Sequence, residues 1–88
     1  MNVITYEQAI KVFCILYGRI SGKDQFVLYY DKHNDKITAG YSYSDLAPKH
    51  DLIVIPRNII ENITEGIFNL YANKLKERIK LNKMREDF

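Results

Sequence analysis

The amino-acid sequence predicts an α+β fold of the order α-β-β-β-α. In it, an N-terminal helix and a long C-terminal helix pack on a three-stranded antiparallel meander. Apolar and polar residues alternate with a period of two over residues 37–44, as they do in a half-buried strand. Helix-start signals stand at Thr5 and Asn58, each ahead of an apolar run. The 88 residues are enough for a single domain, residues 1–88, with one thin core.

The best specified element is a β-hairpin over residues 25–44. Its turn is placed at residues 33–35 because asparagine and aspartate tolerate left-handed backbone angles. The resulting register pairs Asp31 with Lys36, Tyr30 with Ile37, Leu28 with Ala39 and Phe26 with Tyr41. A shift of one residue would move every apolar side chain to the opposite face, so the register is well determined.

The first helix is predicted to begin after a capping box formed by Thr5 and Gln8. It would run from Tyr6 to a point between Tyr17 and Ile20. In an alternative, residues 12–20 form a strand joined to the hairpin by a turn, which the β-branched and aromatic content allows. The capping box and the helix-forming residues after it favour the helix.

This helix is apolar on nearly all sides over residues 9–17. A helix of this kind must be covered by more than one neighbour. Either the second helix crosses it or a second copy of the chain does, so we predict a homodimer with contacts at Val12, Ile15 and Leu16. Cys14 lies in the same run and is expected to be a small buried residue.

Beyond the hairpin, the sequence predicts a loop over residues 44–50, a third strand at residues 52–55 and a long helix. Asn58 is the expected N-cap of that helix, with a glutamate three residues on. Apolar residues recur at helical spacing and the helix is expected to reach about Arg85. Gly66 marks a candidate break or a close helix crossing.

The α-β-β-β-α order resembles that of double-stranded RNA-binding domains, and the chain length is compatible. The resemblance concerns topology alone. Those domains carry a lysine-rich motif at the start of the last helix, whereas the matching positions here are Asn58, Ile59, Ile60 and Glu61. The basic residues of this chain lie at the other end of that helix, so the resemblance implies a shared order of elements and nothing more.

The side of the hairpin that faces away from the core is a candidate partner interface. It carries Val27 and Tyr29 across from the small residues Thr38, Gly40 and Ser42. Tyrosine is enriched in protein interfaces, and a face with small residues on one strand can accept a flat partner. The ordinary alternative is a solvated sheet face.

Positive charge is concentrated in the C-terminal helix. Lys76, Lys80 and Lys83 share one helical face, while Arg78 and Arg85 lie on others. Such a group can neutralise nucleic-acid phosphates, although a solvated helix face has the same composition.

The sequence offers little for catalysis. His33 and His50 are predicted to lie in loops, and one cysteine with two histidines gives no metal-ligand spacing. No phosphate-binding loop, nucleophile elbow or dinucleotide motif is present. We therefore expect no enzyme activity, no metal and no cofactor.

No secretory signal precedes the first apolar run, and no run reaches the roughly 20 apolar residues that a membrane span needs. We therefore expect a cytoplasmic protein that does not bind membranes. The net charge of +2 is too small to indicate a polyanionic partner by itself.

These observations favour a small non-enzymatic protein-interaction module that binds a larger protein and modulates it, most simply as an inhibitor. Small inhibitors encoded by bacteriophages and mobile elements fit this description, so a viral source is the working expectation. The alternative is a nucleic-acid-binding protein that uses the basic C-terminal helix. The predicted partner interface comprises Val12, Ile15, Leu16, Val27 and Tyr29.

Overall fold

The computed structural model describes residues 1–48 and 50–86 and has a mixed α+β architecture with a long C-terminal helix. The elements in chain order are β1 (Asn2–Val3), α1 (Tyr6–Leu16), β2 (Phe26–Asp31), β3 (Lys36–Gly40), α2 (Tyr43–Leu46), β4 (Leu52–Ile55), α3 (Arg57–Glu61) and α4 (Glu65–Glu86). The predicted loop over residues 44–50 therefore contains part of a short helix, and its Lys49 lies outside the described residues.

The sheet has four strands in the order β1-β3-β2-β4, with β1 parallel to β3 and the other pairs antiparallel. The predicted three-stranded antiparallel meander is therefore wrong, because β4 pairs with β2 and not with β3. The segment of β2 from Phe26 to Leu28 is fully buried on both faces, which suits an interior strand. The resemblance to double-stranded RNA-binding domains, which depended on the meander, loses its basis.

The hairpin register is confirmed over most of its length. Leu28 lies opposite Ala39, Tyr30 opposite Ile37, and Asp31 opposite Lys36. The predicted pair of Phe26 and Tyr41 falls outside the paired strands because β3 ends at Gly40. At that end the Gln25 N–H donates to the Tyr41 carbonyl at 2.9 Å.

The main core lies between one face of the sheet and the two helices α1 and α4. It is formed by fully buried aromatic and aliphatic side chains, the largest being Phe13, Leu28, Ile37, Ile55, Leu75 and Ile79. The opposite face is not bare, because α2 packs on β2 and Val27 is completely buried there. The sheet is thus covered on both sides at its centre.

Helix α1 begins as predicted. The Thr5 hydroxyl accepts from the Gln8 N–H at 3.2 Å, and the Gln8 side chain accepts from the Thr5 N–H at 3.4 Å. The strand alternative for residues 12–20 is wrong, since α1 runs to Leu16. The prediction for Cys14 is also wrong, because α1 turns Phe13 toward the core and leaves Cys14 exposed.

The predicted C-terminal helix is two helices. The chain breaks at residues 62–64, one turn before Gly66, and α4 starts where the Thr64 hydroxyl accepts from the Ile67 N–H at 3.3 Å. Asn58 is not the N-cap that the sequence predicts, since α3 follows Pro56 and its first turn has no side-chain cap. The expected extent toward Arg85 agrees with the end of α4 at Glu86.

The end of α1 is tied to α3 by Tyr17. Its ring stacks on Phe26 with the ring centroids 6.2 Å apart, and the Arg57 guanidinium lies 4.5 Å from the centroid of the Tyr17 ring. Arg57 also donates to the Tyr17 carbonyl, and the Tyr17 hydroxyl donates to Glu61. The bond to Glu61 raises the pKa of Tyr17. These contacts hold the segment after α1 against the sheet.

The carboxylate of Asp35, in the hairpin turn, is expected to make the free energy of unfolding depend on pH. The Tyr30 hydroxyl donates to Asp35, and this bond holds the Asp35 pKa below its ordinary 3.8. Because the pKa of Asp35 is lower in the folded state than in the unfolded state, the ionised carboxylate stabilises the fold at pH values above the unfolded-state pKa. This stabilisation is lost as the pH falls through the folded-state pKa. We expect the free energy of unfolding to fall with pH below about 4, and less so in Tyr30→Phe.

Urea denaturation of both proteins between neutral and strongly acid pH measures this dependence. Tyr6→Phe is the matched control, because the Tyr6 hydroxyl donates to the Ile63 carbonyl and not to a carboxylate. Its loss of stability should be the same at every pH. Equal acid dependence in Tyr30→Phe and the unaltered chain would contradict the assignment.

Candidate protein-interaction site

The outer edge of β3 is only partly covered. The Ile4 N–H donates to the Ile37 carbonyl at 2.8 Å, and β1 pairs with Lys36 and Ile37 alone. Backbone groups of alternate residues point to the same edge of a strand, so the N–H and C=O of Ala39 also point outward. They lie beyond the end of β1, where the chain has turned into α1. An unpaired strand edge of this kind can accept a further strand.

A groove of about 500 Å³ lies at this open edge. We call it the edge groove and define it by Val12, Leu16, Tyr29, Ala39, Tyr41 and Leu46. Four elements supply its walls: α1, β2, the end of β3 and α2. The groove therefore places the outward N–H and C=O of Ala39 beside largely apolar side chains.

The inner wall of the groove depends on Gly40. A Cβ atom at this position would lie 3.0 Å from Cε1 of Tyr29 and 3.5 Å from Cδ1 of Leu46. Tyr29 also packs on His50, with the ring centroids 5.4 Å apart, and its burial raises the pKa of its hydroxyl. The missing side chain at residue 40 thus lets the side chains of Tyr29 and Leu46 lie close to the backbone of β3.

Replacing Gly40 with valine is expected to destabilise the chain by about 1–3 kcal/mol, because the added atoms overlap the Tyr29 ring. Strand propensity alone would make the same change favourable, so the sign of the effect is informative. Chemical denaturation measures it, with Gly18→Val as the control, since Gly18 has open space around it. A stabilised Gly40→Val chain would show that Tyr29 does not pack there.

The rim of the groove is polar on the side of α2. The Ser42 hydroxyl donates to the Asp45 carboxylate at 2.8 Å, and both residues border the groove. The groove is therefore apolar in its interior and carries one acidic group at its rim.

The structure brings together three of the five residues of the predicted partner interface. Val12, Leu16 and Tyr29 all line the edge groove. Ile15 is 63% exposed on the outer side of α1 and lies outside the groove. Val27 is 0% exposed, so it cannot contact a partner in this structure and drops out of the interface.

Sequence reasoning missed Ala39, Tyr41 and Leu46. Tyr41 was expected to be paired within the hairpin, and Leu46 was placed in a loop without a role. The open edge at Ala39 depends on how far β1 extends, and a two-residue strand leaves no periodic pattern in a sequence.

The predicted basic residues divide into two groups. Lys76, Lys80 and Lys83 line one shallow depression of about 490 Å³ on α4. Arg78 instead donates to the Leu52 carbonyl, which points to the outer edge of β4, and so covers part of that edge. Arg85 is exposed elsewhere on the helix.

Neither histidine lines the edge groove or the depression on α4. Nδ1 of His50 is 3.2 Å from the Tyr30 carbonyl, and His33 is exposed in the hairpin turn. Among residues 1–48 and 50–86, no group of three histidine, cysteine, aspartate or glutamate side chains could hold a metal ion. Over the same residues, every helix is too short or too polar to span a bilayer.

Comparison with known proteins gives no relative. The chain matches no protein-family model, no curated protein and no solved structure. The case for a function therefore depends on the geometry of the chain itself.

Proposed function

We propose that this protein is a small non-catalytic interaction module that binds an extended segment of a larger protein in the edge groove and modulates that protein, most simply by inhibition. The observation that carries the proposal is that β1 ends before Ala39, whose outward N–H and C=O are left without a strand partner beside an apolar groove that Ala39 lines. A strand edge beside apolar side chains is what an extended peptide requires.

Strand addition accounts for both parts of the groove. Main-chain hydrogen bonds to the sheet edge supply affinity, and pockets for alternate side chains supply specificity. A segment beside Ala39 would place an apolar side chain against Leu16 of α1 and Tyr41 beyond β3. A partner segment held in this way is withheld from its own function, which is the simplest route to inhibition.

Variants at two groove positions test the proposal. Tyr41→Ala removes an aromatic side chain that lines the groove and is 42% exposed. Tyr43→Ala is its matched control, because Tyr43 is 40% exposed and lies outside the groove. Ala39→Pro removes the outward N–H and leaves the β2–β3 hydrogen bonds intact, because proline is tolerated where the N–H faces away from the ladder.

The experiment is a quantitative affinity capture from the source cells with each variant as bait, followed by assay of the captured protein. We expect one partner to be retained by the unaltered chain and by Tyr43→Ala and to be lost with Tyr41→Ala and Ala39→Pro. Its activity should change when the unaltered chain is added. Capture that is the same for all four baits would refute the role of the edge groove.

Nucleic-acid binding through α4 is the second candidate. It is supported by the convergence of Lys76, Lys80 and Lys83 on one depression. Each phosphate contacted lowers the logarithm of affinity by about 0.7–0.9 per tenfold rise in salt. Filter binding of duplex DNA and RNA at low salt tests it, with glutamine at all three positions as the comparison. No binding of the unaltered chain at low salt would eliminate this candidate.

A further inference from the structure

The long helix α4 is apolar on two opposite faces. Its inner face packs Phe68, Ala72, Leu75 and Ile79 into the core. Its outer face carries four more apolar residues, with two charged residues between them, at spacings of three and four residues. We call these six positions the outer stripe: Ile67, Leu70, Lys74, Glu77, Leu81 and Met84. At 3.6 residues per turn these six positions fall on one side of the helix, opposite the core.

Five of the six positions of the outer stripe are exposed, and Ile67 at its N-terminal end is half-buried. Leu70, Leu81 and Met84 are 53%, 57% and 51% exposed, and Lys74 and Glu77 are exposed between them. Single exposed apolar residues are ordinary on a protein surface, but an aligned row along about 26 Å of helix is characteristic of a helix–helix contact.

The spacing and the residue types of the outer stripe are symmetric about its centre. Its spacings are 3, 4, 3, 4 and 3, and its chemistry runs apolar, apolar, charged, charged, apolar, apolar. An antiparallel second copy would therefore set Ile67 against Met84, Leu70 against Leu81 and Lys74 against Glu77. The symmetry axis falls between Leu75 and Lys76, and each pairing occurs twice.

We infer that the outer stripe of α4 is the interface of a homodimer in which the two α4 helices pack antiparallel. Opposite charges meet at the centre, Lys74 of each copy on Glu77 of the other, with apolar contacts on both sides. A parallel pair in register would oppose Lys74 to Lys74 and Glu77 to Glu77, which disfavours it. This inference does not depend on the edge groove.

The position of α1 is consistent with this interface. Helices α1 and α4 cover the same face of the sheet and contact each other. Phe13 points inward, so Ile15 lies on the outward side of the same helix layer and is 63% exposed. The sequence predicted a dimer through α1, whereas the charge pattern centres the interface on α4.

Charge-reversal variants distinguish a loss of this dimer interface from a general loss of stability of the chain. Lys74→Glu places glutamates at both central positions, and Glu77→Lys places lysines at both, so each variant alone should associate more weakly than the unaltered chain. An equimolar mixture of the two should form a heterodimer, because every central contact is then between opposite charges. The double variant Lys74→Glu/Glu77→Lys should dimerise again with itself.

Sedimentation equilibrium over a concentration series measures these masses, and circular dichroism confirms that each variant is folded. The stripe is a small interface, so we expect self-association of the unaltered chain in the micromolar range and at least tenfold weaker association in each single variant. A monomeric unaltered chain at every concentration, or single variants that associate as well as it does, would overturn the inference. Failure of the mixture to associate would overturn the antiparallel register.

Discussion

Replacing Phe13 with alanine is expected to lower the free energy of unfolding by about 3–5 kcal/mol. Phe13 is 1% exposed, and its ring meets the ring of Phe26 edge to face with the centroids 5.3 Å apart. The change removes this contact and leaves a cavity between α1 and the sheet that rigid strands cannot close. Small domains have only about 5–15 kcal/mol of net stability, so the variant should be close to unfolding.

Urea denaturation followed by far-ultraviolet circular dichroism measures this loss. Cys14→Ala, at the next position of the same helix, is the matched control, because Cys14 is exposed and the change should alter stability by less than about 0.5 kcal/mol. If the two variants were equally stable, α1 would not be turned toward the core as described.

Replacing Val27 with aspartate is expected to destabilise the chain on the order of 4–5 kcal/mol or to prevent folding. Val27 is completely buried beneath α2, on the face that the sequence assigned to a partner. A carboxylate there loses its water and finds no compensating partner, which is among the most unfavourable single changes.

The control for Val27 is Gln25→Asp, because Gln25 lies two residues earlier on the same side of the chain and is exposed. Thermal denaturation of both variants shows whether this face of the sheet is buried under α2 or open to solvent. A Val27→Asp chain that melts like Gln25→Asp would show that the face is open to solvent and that α2 does not cover it.

The hairpin register and the start of α1 could be predicted because each depends on neighbouring residues. The alternation from Ile37 onward determines which side chains face the core, and the cap at Thr5 involves only the next three residues. The place of β4 could not be predicted in the same way. A short apolar run shows that a strand is buried but carries no information on which strand lies beside it.

The candidate site was predicted only in part, for a related reason. An apolar helix does not reveal its inward side, and placing Phe13 inward turned Ile15 and Cys14 toward solvent. The predicted partner interface held Val12, Leu16 and Tyr29 together with two residues that lie elsewhere. The groove that joins these three residues depends on β1 stopping after two residues. The open edge is thus a property of the folded sheet.

The open edge at Ala39 is the central claim, and amide hydrogen exchange measured by nuclear magnetic resonance tests it most directly. The N–H groups of Thr38 and Gly40 point toward β2, whereas that of Ala39 points outward past the end of β1. We predict that the Ala39 amide of the free protein exchanges with solvent much faster than the amides of Thr38 and Gly40. An Ala39 amide as well protected as its two neighbours would contradict the open edge and the function proposed for it.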